Sequence, residues 1–241
     1  MNLITKTRRK LGFRSQYRDF VSLNKTERPE LSADWSDRWA RLNDVSDQHP
    51  FDAHYVYHTA WAARVLADLR PSKHIDISSC TYFATLTSAF VPVEFYDYRP
   101  TPLSLSNLKS DAADLCDLPF ANQSVESISC MHTIEHVGLG RYGDPMDANG
   151  DKKALLELQR VVAPGGKLLM VVPVGKPRIQ FNAHRIYAPQ MIKDYLPQLS
   201  LSSWAMLPDD SSQGLLDNPS FELALQQRYA CGCFLFERPA A

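Results

Sequence analysis

Two sets of residues in this chain have the types and spacing to do chemistry. Asp76 and Asp97 lie 21 residues apart. That interval lets an acidic side chain ending a second strand accept both hydroxyl hydrogens of a ribose bound beyond the first strand. Asp114 follows in DLCDLPF, on the loop after a third strand. The second set is the run MHTIEHVG, with His132, Glu135 and His136 closing a fourth strand, where an imidazole or carboxylate can take a proton from a reacting oxygen or nitrogen. Downstream, Gly138, Gly140 and Gly143 bracket Arg141 and Tyr142, with Asp144 after them. Backbone N–H groups and a guanidinium fork can converge on a phosphate or carboxylate in such a loop. In the alternative reading, Arg141 and Asp144 pair with each other and pin the loop.

Metal chemistry is the other possibility these residue types raise, and the spacing argues against it. HxxEH, spelled by His132, Glu135 and His136, is a zinc-ligand signature when both histidines share a helix face. The alternation through Ser127, Ser129 and Met131 instead puts His132 at a strand end. His54 and His58 are four apart on a helix but have no third ligand nearby in sequence, which favours a packing or capping role. Cys231 and Cys233 share one side of a strand without companions and read as buried thiols. Asp147, Asn149 and Asp151 imitate the start of a calcium loop, but glycine is fourth rather than sixth and Leu158 stands at position twelve. No metal site is expected.

The elements that must position these residues alternate. Apolar positions Tyr55, Trp61, Ala62, Val65, Leu66 and Leu69 recur with helical spacing up to Pro71. Strands follow at 74–78, 93–98, near 105–108, 125–131, 167–174, 199–207 and 228–237. Helices fall at 81–90, 153–162 and 189–196, and Pro164, Gly165 and Gly166 make a tight turn. Strands alternating with helices at this rhythm imply a doubly wound α/β domain, mostly parallel, with helices on both faces. Ligands bind beyond the carboxyl ends of such strands, and Asp76, Asp97, Asp114 and the 131–136 run all lie there. Upstream, Trp35 and Trp39 suggest a short helix in an otherwise connecting arm. Residues 1–50 thus form a basic, helical extension and 51–241 the α/β domain.

Composition narrows the function classes. The chain has 241 residues, 26 Lys plus Arg and 27 Asp plus Glu, a formal charge of −1, without the bulk basicity of a nucleic-acid binder. It shows no apolar run long enough to span a bilayer and no signal-peptide core, so a cytoplasmic protein is expected. Five cysteines, an odd number scattered through apolar segments, fit reduced thiols. The positive charge concentrates in residues 1–20, where Lys6, Arg8, Arg9, Lys10, Arg14 and Arg18 face only Asp19. This arm reads either as a basic amphipathic helix on an anionic membrane face, such as the inner membrane, or on an acidic partner, or as a solvated arm docked by its few apolar residues. Oligomeric state is open.

The runs DLCDLPF, SVESISCMHTIEHVG and ELQRVVAPGGKLLMVVPVG resemble the second half of a class I S-adenosylmethionine-dependent methyltransferase, a fold with a seven-stranded sheet. In that family an acidic residue before LPF sits near the adenine, a fourth strand ends in EH, and a PGG turn leads into the fifth strand. EHVGLGRYGDPMDANGD and FNAHRIY are similar to DUF268, a bacterial family of unknown function with this fold. The likeness covers roughly residues 74–190. It implies S-adenosyl-L-methionine as cofactor, held by Asp76, Ser78, Ser79, Asp97, Asp114, Leu115 and His132. Glu135 and His136, and secondarily His184, become candidates for base or orienter, and Arg141, Tyr142, Asp144, Arg185 and Tyr187 for acceptor binding.

The departure is in the loop after the first strand. Methyltransferases usually place a DxGxGxG turn there, whereas this chain has Asp76, Ile77, Ser78, Ser79, Cys80, Thr81, Tyr82 and Phe83, with no glycine. Each added Cβ intrudes on the cofactor's space and strains the backbone by about 1 kcal/mol or more where φ is positive. Three readings follow. The first is a methyltransferase acting on oxygen of a sugar, or of a nucleotide- or lipid-linked glycan, in surface polysaccharide synthesis. The second is a methyltransferase-fold protein that has lost its cofactor and serves as a binding or scaffold partner in such a pathway. The third keeps the fold for another chemistry on a nucleotide-sugar. A side chain such as Tyr82 filling the hollow would leave only the scaffold.

Overall fold

A computed structural model describes residues 3–44, 47 and 49–240, with side chains from residue 11 onward. The chain divides into two compact units, Met1–Phe51 and Asp52–Ala241.

In the first unit, helix α1 spans Leu3–Glu27. Its apolar residues are spread around the helix rather than gathered on one face, so it lacks the broad apolar stripe of an interfacial helix. The side chains of Lys6, Arg8, Arg9 and Lys10 lie outside the described residues. The segment after α1 folds back on it. Tyr17 donates from its hydroxyl to the Ala33 carbonyl at 2.6 Å, and its ring meets Trp35 edge-on at 4.8 Å. The helix expected around Trp35 and Trp39 is only a 3-10 turn, Trp35–Asp37. Arg38 stacks over Trp35 at 4.4 Å while Trp39 stays exposed. Pairing with α1 and Arg38 satisfies Trp35 without a helix.

The second unit begins with α2, Ala53–Leu69, whose N-cap Asp52 accepts the Tyr55 N–H, a capping bond worth about 1 kcal/mol. It buries Ala62 and Leu66. Then come β1 (His74–Ile77), α3 (Thr81–Thr87), β2 (Val93–Asp97), β3 (Leu108–Ala112), β4 (Val125–Met131), α4 (Gly150–Val161) and β5 (Val162–Val174). A hairpin of β6 (Arg178–Gln180) and β7 (His184–Ile186) follows, and α5 (Pro189–Tyr195), β8 (Ser200–Leu207), β9 (Leu216–Asp217), α6 (Phe221–Leu225) and β10 (Ala230–Glu237) complete it. The main sheet runs β3-β2-β1-β4-β5-β10-β8-β9. Strands β1 to β5 are parallel, and β10 is antiparallel to β5 and β8.

The sheet therefore has eight strands, not seven. The extra one is the two-residue β9 at the edge, too short to show a periodicity. The third strand also falls later than expected, at Leu108–Ala112, because only Leu108 of that strand enters the core and its remainder is polar. Pro164 to Gly166 do not separate helix from strand. Strand β5 starts at Val162 and bulges there, with Val162 opposite Val125 and Lys167 opposite Ser127. Gly165 takes φ +75°, and a Cβ on Gly166 would lie 2.8 Å from the Ala163 carbonyl.

Leu168 to Val172 are wholly buried between helix layers, as expected of a central parallel strand. One polar chain crosses the core between β1 and β4. The ring of His74 spans Ser127 (Nδ1 to Oγ, 2.8 Å) and Ser129 (Nε2 to Oγ, 2.9 Å), and Ser129 donates to Asp76 Oδ1 at 2.5 Å. A neutral imidazole accepting from Ser127 and donating to Ser129 satisfies both serines and Asp76 Oδ1. Burial lowers the His74 pKa to about 3. The strand order reverses between β1 and β4, and the crevice of a doubly wound sheet opens at that point.

Candidate functional site

The crevice is framed by the turn after β1, the end of β2 and the end of β4. Ser78 adopts φ +56°, the left-handed conformation that glycine supplies in the usual loop. Serine bears it at about 1 kcal/mol because three contacts hold the turn. Ser78 N–H donates to the Tyr96 carbonyl at 2.7 Å. The Thr133 hydroxyl donates to the Ser78 carbonyl at 2.8 Å, and Ser79 Oγ accepts the Met131 N–H at 3.1 Å. The turn thereby keeps the bend without the glycines.

Two hollows meet there. One, of about 180 Å³, is lined by residues 78–80, 97–99 and 131–133 and by Tyr55 of α2. The other, of about 310 Å³, is lined by residues 113–116 and by the 137–153 segment, including Asp144 and Lys153. Both are bordered by Ser78, Tyr98, Thr133, His136 and Tyr142. Of the expected cofactor residues, Ser78, Ser79, Asp97 and His132 line the smaller hollow and Asp114 and Leu115 the larger. Tyr82 is 79% exposed and lines neither. Arg99 lies over the Tyr142 ring at 4.6 Å, joining the β2 end to the glycine loop across the hollows.

Asp76 is a correction. It is fully buried behind the turn, lines neither hollow and has an unpartnered Oδ2. Burial, opposed by the Ser129 and Ser79 hydroxyls, pushes its carboxyl up to about 7. It supports the turn rather than touching a ligand.

Around β4 the chain turns sharply, with His132 at φ +54° and a 3-10 turn at Ile134–His136. His136 borders both hollows. Its Nδ1 is 2.6 Å from the Ala183 carbonyl, which assigns the proton to Nδ1 and leaves the Nε2 lone pair free. Burial lowers its pKa below the ordinary value, against the opposing charge of Glu135. The result is a neutral base at physiological pH. Glu135 is buried and lines no hollow; its Oε1 lies 2.8 Å from His132 Nδ1 and 3.8 Å from His136 Nε2. Burial opposes its charge, but the two histidines outweigh burial and hold its pKa below normal. It orients imidazoles rather than facing a reactant. His184 lies outside both hollows, with Nε2 at 2.5 Å from Gln180 Oε1 and its ring 4.7 Å from that of Tyr229.

The glycine loop overturns the phosphate-cradle expectation. The N–H groups of Gly138 and Gly140 donate to Asp144 Oδ2 at 2.8 and 3.3 Å, and Tyr142 N–H to Oδ1 at 3.1 Å. A carboxylate of the chain itself already fills the concavity. Burial pushes Asp144 up, but these N–H donors prevail and hold its pKa below normal. Arg141 points away, donating to the Ala183 carbonyl at 3.0 Å and stacking on Tyr142. Arg141 and Asp144 thus each pin the loop, though not by pairing with each other. Of the acceptor candidates here, Tyr142 and Asp144 reach a hollow and Arg141 does not.

Arg185 and Tyr187 are likewise corrected. Both are buried. Arg185 donates to the Val137 carbonyl at 2.6 Å and lies 3.6 Å from Asp151 Oδ2, and the Tyr187 hydroxyl donates to that same oxygen at 3.0 Å. They brace β7 against α4 and the glycine loop, with no surface left for an acceptor.

The sequence reading passed over Tyr55, Tyr98, Arg99, Thr133 and Lys153, all of which line the hollows. Tyr98 and Arg99 directly follow Asp97, so the rule that singled out Asp97 extends to them. Tyr55 carried no such signal, because helix α2 comes to the crevice only in the folded chain. The same holds for His54, His132 and Cys231, which the fold brings together beside the smaller hollow.

Comparison with known structures bears on the fold. The 1,6-didemethyltoxoflavin-N1-methyltransferase of Burkholderia thailandensis, solved with its substrate and S-adenosylhomocysteine, superposes with a TM-score of 0.56 at 12% identity, over 93% of this chain and 87% of that one. The N-methyltransferase NodS of Bradyrhizobium japonicum, in complex with S-adenosylhomocysteine, gives 0.53 at 14% identity, over 80% and 90%. The fold is that of class I methyltransferases. The [4+2]-cyclase SpnF also superposes, at 0.51 and 13% identity over 75% and 82%, so this fold by itself does not name a reaction. Residues 117–195 match the DUF268 family in the stretch whose motifs resemble it, but the family is described as a Caenorhabditis protein of unknown function rather than a bacterial one. No curated protein matches the chain. Among the described residues no helix is long and apolar enough to cross a membrane.

Proposed function

We propose that this protein transfers a methyl group from S-adenosyl-L-methionine to an oxygen or nitrogen acceptor. One observation carries the reading: two connected hollows open where the strand order reverses, with Asp97 at one, Asp114 at the other and a neutral His136 between them. Their sizes suit a small-molecule site. The residues fit the cofactor. Ser78 supplies the left-handed bend in place of glycine, Asp97 stands where a ribose is gripped, and Ala113 to Cys116 wall the larger hollow where an adenine would lie. When bound, the cofactor supplies a sulfonium methyl already activated for transfer.

The chain's own residues then have two tasks. Tyr142, Thr133 and Tyr55 would hold the acceptor in place, and His136 Nε2 would take the proton that its oxygen or nitrogen gives up. Nδ1, held by the Ala183 carbonyl, keeps that lone pair directed. The narrower assignment, a sugar or a nucleotide- or lipid-linked glycan, rests on the DUF268 resemblance. The glycine loop lends it nothing, since Asp144 occupies the concavity. Tyr82, 79% exposed and outside both hollows, does not obstruct the site, which supports the catalytic reading over the scaffold one.

Calorimetric titration with S-adenosylhomocysteine tests the proposal. Saturable one-to-one binding is expected, weakened at least tenfold in Asp97→Ala. Absence of heat and of thermal shift at millimolar ligand ends the catalytic reading.

A further inference from the structure

The folded chain places His54 of α2, His132 after β4 and Cys231 of β10 with one ligand atom of each within 4.8 Å of the others. We propose that these three side chains bind a single zinc ion, leaving its fourth position open.

The His132–Cys231 distance suits that ion, and His54 lies within 4.8 Å of both. His132 Nε2 and Cys231 Sγ are 3.5 Å apart. Zinc bonds of ~2.0–2.1 Å to nitrogen and ~2.3 Å to sulfur at tetrahedral angles separate the two donors by about 3.5 Å. Two imidazoles and a thiolate form a borderline-soft set, which selects zinc over magnesium or calcium.

The surroundings are built as they are around metal-binding histidines. His132 Nδ1 is held at 2.8 Å by Glu135 Oε1. Such a carboxylate–histidine pair fixes the ring and leaves Nε2 as the ligand. The charges also close. Glu135 is buried with Oε2 unpartnered, and one zinc dication balances that carboxylate plus a Cys231 thiolate. His58 borders the cluster without joining it: its Nδ1 lies 2.7 Å from the His54 carbonyl and steadies that turn of α2, and its ring meets that of His132 edge-on at 5.0 Å. Binding releases the Cys231 thiol proton and any proton on His132 Nε2, and involves no redox change. The ion would tie the first turn of α2 to the ends of β4 and β10 beside the smaller hollow, and the inference stands whether or not that hollow takes S-adenosylmethionine.

The test uses the full chain, stripped with a chelator and titrated with zinc alone. Elemental analysis after removal of excess metal should give about one zinc per chain. A cobalt-loaded sample should show a thiolate-to-cobalt charge-transfer band. His54→Ala, at the half-exposed start of α2, and Cys231→Ser should each weaken zinc at least tenfold, with the band lost in Cys231→Ser, while Cys116→Ser keeps both. If Cys231→Ser fails to fold, folded His54→Ala, checked by circular dichroism, carries the test. No retained zinc in the wild type overturns the proposal. So does zinc retained unchanged in His54→Ala, which would place the metal elsewhere.

Discussion

His132 and His136 stand four residues apart on either side of the same carboxylate, yet the fold gives them opposite surroundings. His136 faces the two hollows as a neutral base, with Nδ1 committed to Ala183 and Nε2 available. His132 is buried against Glu135 and Cys231, under the stacked ring of His54 at 5.3 Å. Burial works against charge on His132, but the Cys231 sulfur and the Glu135 carboxylate prevail and raise its pKa above the ordinary value. Burial dominates at His136 and lowers it. The contrast teaches that a backbone bend, here φ +54° at His132, can turn one histidine of a short motif onto buried partners at the wall of the smaller hollow and leave the other bordering both hollows. Residue type and spacing are silent on which goes where.

The sharpest way to break this comparison is to separate the two histidines by function. His136→Ala should lower kcat by about 10²-fold or more while S-adenosylhomocysteine binds within a few-fold of wild type. Glu135→Ala should instead act on stability, since it strips the partner from a buried imidazole, a class of change that costs roughly 3–5 kcal/mol and is read as a fall in chemical-denaturation midpoint. If His136→Ala were to unfold the protein and Glu135→Ala leave it stable, the roles assigned here would be reversed.

A pH series probes the same division at other buried groups. Burial first, and then the charge of His132, lowers His58 to about 3, and burial lowers His74 to about 3. The unfolded chain therefore binds more protons than the folded one between about pH 6.5 and pH 3, and both histidines favour unfolding as pH falls through that window, each by about 3 kcal/mol at pH 4. Asp76 has the opposite sign. Its folded pKa of about 7 exceeds the unfolded value, so its contribution is present in acid and is lost as pH rises from about 4 to 7. Asp76→Asn should accordingly steepen the acid loss seen in thermal melts, and an unchanged slope would contradict the buried position of that carboxyl. The rate, by contrast, should climb only through the lowered pKa of His136 and be flat at neutral pH.

The smallest expected effect concerns the turn. Ser78→Gly should relieve left-handed strain and raise stability by up to about 1 kcal/mol, with S-adenosylhomocysteine affinity within a few-fold of wild type. A large gain in affinity would mean that the serine obstructs the hollow.

The position of Asp97, Asp114 and His136 beside the hollows was legible beforehand, because parallel sheets put ligand residues after their strands and strand ends can be read from apolar runs. Arg185 and Tyr187 were misplaced because a charged residue and a phenol in FNAHRIY look exposed in sequence, whereas Asp151, 34 and 36 residues upstream, draws them into the core. The glycine loop misled for a related reason. Its glycines do create a concavity of N–H donors, but Asp144, four residues from Gly140, reaches it first.

Alternating apolar runs, set by the local rules of strand and helix, determined the doubly wound sheet and the strand ends where the crevice opens. The meeting of His54, His132 and Cys231, the division of labour around Glu135, and the choice between open hollow and filled turn at Ser78 came only from the tertiary structure. Those features depend on contacts across tens of residues, up to 99 between His132 and Cys231, and on single backbone torsions, neither of which leaves a periodic trace along the chain.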